Sequence, residues 1–291
     1  MEYPLVDIIT VNYNNLSFLG DFLTSINTLH YPMEKVRLYF VDNASTDASL
    51  EFVRSSKIKC SLTVIRNKRN LGFAKANNLV FPKCKAPFIA LLNNDTRLHP
   101  DWLIRLVERM GLSSDIGIAC SRRIPDESPR YIDPDTLEIS WCSGGQSLIR
   151  RKALEQVGYF DEKFFMYGED VDLSWRMWLG GYRLVYVPES ICEHHFGKEE
   201  KYKTRRIYFH VRNSILLRYA YGSFADIKKA YWRWIKEGAY NILRKMRLGE
   251  GCAILLALPG HLPYVFYFLK KKKTLITREN FQSVKNIWIS L

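Results

Sequence analysis

"VDIITVNYN", residues 6–14, is a β-branched, mostly apolar run that ends in Asn-Tyr-Asn. Three more runs repeat the pattern: "VRLYFVDN" (36–43), "LTVIRN" (62–67) and "FIALLNND" (88–95). Each reads as a buried strand closing on polar residues. Between them "NLSFLGDFLTSINTL", "DASLEFVRSS" and "GFAKANNLVFPKC" read as helices. Near-continuous apolar strands alternating with helices predict a doubly wound, mostly parallel α/β sheet.

In such sheets ligands bind beyond the carboxyl ends of the strands. Asn12, Asn14, Asp42, Asn43, Asn93, Asn94 and Asp95 all fall there. One such cluster would be turn or cap chemistry, whereas polar residues at three successive strand ends point to a binding site. The first glycine is Gly20, so neither a dinucleotide fingerprint nor a Lys-bearing phosphate loop can be drawn, and a nucleotidyltransferase loop is missing too. A phosphorylated ligand would need another neutraliser. Asp95, at the tip of a buried strand and flanked by amides, suits Mg²⁺ or Mn²⁺, which take one or two carboxylates and fill their shell with water and phosphate. The plainer reading makes Asp95 a cap for the helix "HPDWLIRLVERM".

"FFMYGEDVDLSWRMW" (164–178) sets Glu169, Asp170 and Asp172 among large apolar residues. From Val171 the apolar spacing and the Gly180-Gly181 stop predict a helix, which puts Glu169 and Asp170 at its N-terminus. A cap explains one acid. A carboxylate held there, after a turn at Gly168, also suits a general base.

The charge is divided. Residues 1–197 carry 23 Lys and Arg against 24 Asp and Glu; residues 198–291 carry 20 against 6. A near-neutral body is therefore followed by a basic tail that faces something anionic. The six cysteines are scattered and read as reduced, mostly buried thiols, and "MEYPLVDII" lacks the basic start and apolar run of a signal peptide.

With these pieces in order, the chain resembles the inverting family 2 glycosyltransferases, in particular their rhamnosyltransferase-like branch. The likeness is carried by "TVNYN" (10–14), "VDNASTDAS" (41–49), "NLGFAKANN" (70–78), "LLNNDT" (91–96), the segment 144–190 and "HHFG" (194–197). It implies the nucleotide-diphosphosugar transferase (GT-A) fold over residues 1–197, a nucleotide-binding half to about residue 96 and an acceptor half after it. It also implies metal-dependent transfer from a dTDP- or UDP-linked sugar with inversion. Carried over, Asn12 and Asp42 would contact base and ribose with Asn14 and Asn43 near them; Asn70 and Asn77 would line the nucleotide side, and Asn93 and Asn94 would orient ribose or phosphate. Asp95 would be the metal ligand, Asp170 the base supported by Glu169, and His194, or alternatively His195, would approach metal or diphosphate. The metal motif reads Asn-Asn-Asp, without the first carboxylate of Asp-x-Asp. "AYWRW" (230–234) has Ala230 where processive synthases carry Gln, so addition of one or a few sugars is expected.

In the tail, "SFADIKKAYWRWIKEGAYNILRKMRL" puts Phe224, Ile227, Tyr231, Trp234, Ile235, Gly238 and Ile242 on one stripe with lysines and arginines largely elsewhere. Such a helix suits an anionic membrane surface, ahead of a homodimer interface. "CAILLALPGHLPYVFYFL" (252–269) is interrupted by two prolines and reads as a re-entrant or surface hairpin, with Lys270–Lys273 left for headgroups. No nucleic-acid motif is present. The expectation is a cytoplasmic enzyme, peripheral on the inner membrane face, acting on a lipid-linked glycan in cell-envelope polysaccharide assembly. Its rival is a catalytically silent sugar-nucleotide-binding assembly protein.

Overall fold

The structure, a computed structural model, describes residues 3–125, 132–195 and 203–275. Gly197 and the expected domain boundary beside it lie outside the described residues. Two compact units form: one from the chain up to Glu162 together with Leu173–His195, the other from Lys163–Asp172 together with the chain after His195.

The first unit is built on one sheet. Its strands are β1 (Val6–Asn12), β2 (Val36–Asp42), β3 (Ser61–Arg66), β4 (Phe88–Leu92), β5 (Thr96–Leu98), β6 (Ile116–Ile124), β7 (Gln146–Arg150) and β8 (Arg183–His194), in the order β3-β2-β1-β4-β7-β6-β8-β5. The four strands foreseen from the sequence pair in parallel at one side. β7 runs antiparallel to both β4 and β6, and β5 runs antiparallel to β8, so the sheet is mixed with six strands pointing one way.

Alternation along the strands explains why both faces are covered. Ile8, Leu38 and Phe40 point into a core with Phe22 and Ile26 of α1 (Leu16–Asn27), Val53 of α2 (Ser49–Ser55) and Trp102 and Leu106 of α4 (Trp102–Gly111). Ile9, Tyr39 and Val41 point the other way, into a core with Ala74 of α3 (Gly72–Asn78), Leu154 of α5 (Arg151–Val157) and Met177 of α6 (Glu169–Leu179). Asp7 is the polar exception within β1. It is fully buried, receives Arg37 Nε at 2.6 Å, and accepts the Lys85 and Ala86 amides at 2.9 Å each. Pairing and bonding of this kind make a buried carboxylate tolerable. Five cysteines are buried and Cys252 is exposed, all as free thiols.

The second unit is helical: α7 (Lys203–Tyr221), α8 (Phe224–Leu243), α9 (Leu248–Gly260) and α10 (Val265–Leu275). A reciprocal capping box, Ser223 with Asp226, starts α8. Tyr231 and Trp234 of the expected stripe pack against Val211, Ile215, Ile254 and Ala257, and Gly238 is buried. Phe224, however, is 81% exposed. The hairpin expected at 252–269 does not form. Helix continues over Leu248–Thr274, with Pro259 inside α9 and one 3₁₀ turn at Leu262–Tyr264 around Pro263. Among the described residues this is the one helical run long and apolar enough to cross a membrane, with a mean hydropathy of 1.7.

Candidate functional site

Parallel pairing sets Asn12 opposite Asp42 at the ends of β1 and β2. Asn12 Nδ2 donates to Ser45 Oγ at 2.9 Å, Asn94 Nδ2 donates to Asn12 Oδ1 at 2.5 Å, and Asn15 Nδ2 donates to Asn94 Oδ1 at 2.7 Å. Three loops are thus tied together by amides that retain no charge. Asp42 differs. Its side chain is fully buried, and its Oδ2 has no hydrogen-bond partner in the protein. A buried acceptor in this state calls for a donor from elsewhere, such as a base N–H or a ribose hydroxyl.

The other expected amides serve mainly to hold the loops. Asn14 sits at φ 53° and its Oδ1 accepts the Thr46 amide at 2.7 Å. Asn43 is saturated: Nδ2 donates to Asn70 Oδ1 and Gly72 O, while Oδ1 accepts from Asn67 and from the Leu71 amide. Asn70 also accepts the Gly72 amide, and Asn77 turns back onto Phe73 O within α3. The Asn93 backbone amide donates to Gly145 O at 2.9 Å, and a Cβ at Gly145 would come within 2.5 Å of Asn93 Nδ2, so any side chain there would displace the Asn93 side chain. Next to it Gln146, opposite Leu92 in the β4–β7 register, is buried with its Nε2 lacking a partner. The sequence reading did not single out Gln146, Ser45 or Asn15. A polar residue at the start of a buried strand is the signal that could have found Gln146.

Asp95 stands just before β5, where Thr96 lies opposite His194 on β8 and the His195 amide donates to Asp95 O at 2.9 Å. His194 Nε2 lies 3.5 Å from Asp95 Oδ1. His195 turns instead to α1, stacking on Phe18 with its Nε2 3.9 Å from Asp21. Of the two histidines it is His194 that faces Asp95. Asp101, not Asp95, occupies the cap position of α4, so the capping reading of Asp95 fails. Among the described residues no group of three or more Asp, Glu, His or Cys side chains is placed to hold a metal ion. One carboxylate with one imidazole fits a divalent cation that draws much of its shell from phosphate and water.

The three acids of the opening motif meet three different fates. Tyr167 (φ 66°) and Gly168 (φ 91°) are successive left-handed residues that turn the chain sharply into α6. Asn213 of α7 fixes that turn by donating to Met166 O at 2.8 Å and Tyr167 O at 2.6 Å. Asp172 is fully buried and is met at Oδ1 by Tyr221 OH at 2.7 Å and Lys271 Nζ at 2.5 Å. It is structural. Lys271 and Lys272 therefore point inward, Lys272 to Gly222 O, and of the run assigned to headgroups only Lys270 and Lys273 are exposed. Glu169 is 4% exposed and its Oε2 has no partner. Burial first, and then the charge of Asp170, push its carboxyl well above the usual range. Asp170 is half-buried, with Oδ1 accepting the Val171 amide at 2.9 Å.

The raised carboxyl makes a pH prediction. Because folded Glu169 holds its proton more tightly than the unfolded chain does, wild type loses stability as pH rises above about 4.5, until the folded group itself ionises. Glu169→Gln removes that loss. Relative to wild type its melting temperature is expected to climb as pH rises from 5 to 8. Parallel melting curves for the two proteins over that range would refute the raised Glu169 carboxyl.

Comparison with known proteins follows the same lines. The model of "Glycosyl transferase family 2" matches residues 7–173, and that of "Glycosyl transferase family group 2" matches 137–270. Over 64 residues, 22% of this chain, it is 47% identical to an N-acetylglucosaminyl-diphospho-decaprenol L-rhamnosyltransferase of Mycobacterium tuberculosis. It is 24% identical over 198 residues, 62% of this chain, to the poly-beta-1,6-N-acetyl-D-glucosamine synthase of Staphylococcus aureus. The aligned parts span 21% and 47% of those two proteins. Among solved structures, the mannosyltransferase PcManGT of Pyrobaculum calidifontis, in complex with GDP-Man and Mn²⁺, superimposes with a TM-score of 0.63 at 20% identity, covering 100% of this chain and 86% of its own. TarS 1–349 of S. aureus also gives 0.63, at 14% identity, covering 98% and 91%. With strand order, family model and solved structures in agreement, the chain belongs to glycosyl transferase family 2, is rhamnosyltransferase-like within it, and has the GT-A fold.

Proposed function

We propose that the protein transfers a sugar, rhamnose from dTDP-rhamnose or a hexose from a UDP-sugar, to a hydroxyl of a lipid-linked glycan with inversion at the anomeric carbon. The observation that carries this reading is the acid pair at the start of α6, with Glu169 sealed and its carboxyl pushed up by burial beside a half-buried Asp170 after a rigid left-handed turn. Asp170 takes the proton from the acceptor hydroxyl as its oxygen attacks the anomeric carbon from the face opposite the leaving diphosphate. Asp42 receives a donor from the nucleoside, and the amides around Asn12 and Asn43 keep that seat in shape. Asp95 and His194 would hold a Mg²⁺ or Mn²⁺, which when bound offsets charge developing on the diphosphate.

The lipid-linked acceptor is supported by the rhamnosyltransferase relative, whose name specifies a diphospho-decaprenol acceptor. We place the protein at the cytoplasmic face of an anionic membrane; membrane attachment is supported by outward Leu243, Leu256 and Phe266 (74%, 65% and 87% exposed) among exposed lysines and arginines. The rival reading, a silent sugar-nucleotide-binding assembly protein, is favoured by Asn93 standing where the metal motif would carry its first acid.

Thermal shift with dTDP, UDP, GDP and ADP, each with and without Mn²⁺, tests the donor site. One pyrimidine diphosphate is expected to stabilise the protein in a metal-dependent way, by about 3 kcal/mol at a hundredfold excess over Kd. Stabilisation without turnover of the matching nucleotide sugar would favour the silent binder; no shift from any nucleotide would remove the donor site altogether.

A further inference from the structure

Within the helical unit lies a cleft of about 860 Å³, walled by α7, α8, the link after α8, and α9. It is lined by five basic side chains, Lys203, Arg206, Arg233, Lys245 and Arg247, against two carboxylates, Glu237 and Glu250. Both carboxylates are already engaged. Glu250 is shared by Lys203 at 2.9 Å and Arg247 at 3.6 Å, and Glu237 Oε1 accepts from Asn241 Nδ2 at 3.0 Å. Arg233 and Lys245 rest on the rings of Trp234 and Tyr240 rather than on acids. Cations converging from separate elements repel one another, and a bound anion relieves that repulsion. Arginine at such a spot favours phosphate, which its planar fork matches.

We propose that this cleft is a seat for a phosphate or diphosphate group. Its wall includes Tyr167, whose hydroxyl accepts from Arg206 Nε at 2.7 Å, and Tyr167 immediately precedes the Gly168-Glu169-Asp170 turn. Three peptide steps separate Tyr167 from Asp170, a Cα path of at most about 11 Å. The cleft wall and the base therefore share one short segment of chain. The wall formed by Trp234 and Ile254 is apolar, and Leu248 and Leu256 of α9 are exposed beside it in sequence. The occupant has two sources of the same chemistry: the phosphate that joins a glycan to its lipid, or a soluble diphosphate. The first rests on the transferase reading; the anion site does not.

The test uses the full chain in EDTA, with inorganic pyrophosphate as the probe and calorimetry as the readout. Wild type is expected to bind it, and Arg233→Gln/Lys245→Gln to bind at least about tenfold more weakly. Lys228→Gln/Lys229→Gln, which removes equal charge from α8 outside the cleft, is expected to bind as wild type does. Absence of binding in wild type, or equal affinity in the two double variants, would overturn the proposal. Flotation with phosphatidylcholine vesicles, with and without a polyprenyl diphosphate, separates the sources. Extra retention that the cleft variant loses assigns the lipid-linked group, while pyrophosphate binding with no extra retention assigns a soluble one. If wild type shows no nucleotide shift yet binds pyrophosphate as described, the transferase reading fails and the anion seat stands.

Discussion

Asp170→Asn is expected to lower kcat by about 10²–10⁴-fold, the span that a positioned general base contributes. The substitution is nearly isosteric. An amide oxygen can still accept the Val171 amide that Asp170 Oδ1 now accepts at 2.9 Å, so the first turn of α6 should be kept. What disappears is the capacity to take a proton from the acceptor hydroxyl. Binding of the nucleotide diphosphate is assigned to Asp42, Asp95 and the amide network of the first unit, so its Kd and its metal-dependent thermal shift should hold. The expected signature is a fall in kcat with the donor KM little changed, which marks an interaction made only in the transition state. Turnover within a few-fold of wild type would remove Asp170 from the chemistry. Glu169→Gln is the instructive contrast. Burial holds the Glu169 carboxyl well above its usual range, so the amide, which resembles the protonated acid, should leave much of the rate intact while altering stability against pH.

Much of the first unit was legible because its cues are local. β1, β2 and β4 are apolar runs whose odd and even positions each found a core, and their polar ends fell at one sheet edge because the strands are parallel. The acids of the α6 start were legible for the same reason, since a turn glycine and a helical stripe flank them. The pairing of β5 to β8 was not, because a three-residue strand and an antiparallel register are set by tertiary contacts rather than by pattern. Nor were the different fates of the amides. Asn43 and Asp42 are neighbours of similar size, yet one is saturated by loop atoms and the other is left with an unpartnered oxygen. In the tail, the Lys270–Lys273 run looked uniform in sequence. Helical geometry divides it: Lys270 and Lys273, three apart, share the outward face, while Lys271 and Lys272 between them turn to Asp172 and Gly222.

Lys271→Met is expected to destabilise the helical unit by about 3–5 kcal/mol, the usual cost of stripping one partner from a buried ion pair. Lys271 is 12% exposed at its side chain and Asp172 is 0% exposed, and the two are 99 residues apart in sequence. Removing the ammonium would leave a buried carboxylate with Tyr221 OH at 2.7 Å, which cannot offset its desolvation. Asp172→Asn combined with Lys271→Met removes both charges and should recover a large part of the loss, so the pair is read by a double-mutant cycle rather than by one variant. Tyr221→Phe should cost only about 1 kcal/mol, as one hydrogen bond does. Because the chain has two units, hydrogen exchange is the proper readout. Protection should fall at α10 and at the first turn of α6 in Lys271→Met, while β1, β2 and β4 keep theirs. The activity follows from the geometry: Asp172 lies two residues after Asp170, so loosening that turn should lower kcat without altering nucleotide binding. Equal stability of the single and double variants would mean that the ion pair does not hold α10 to the turn.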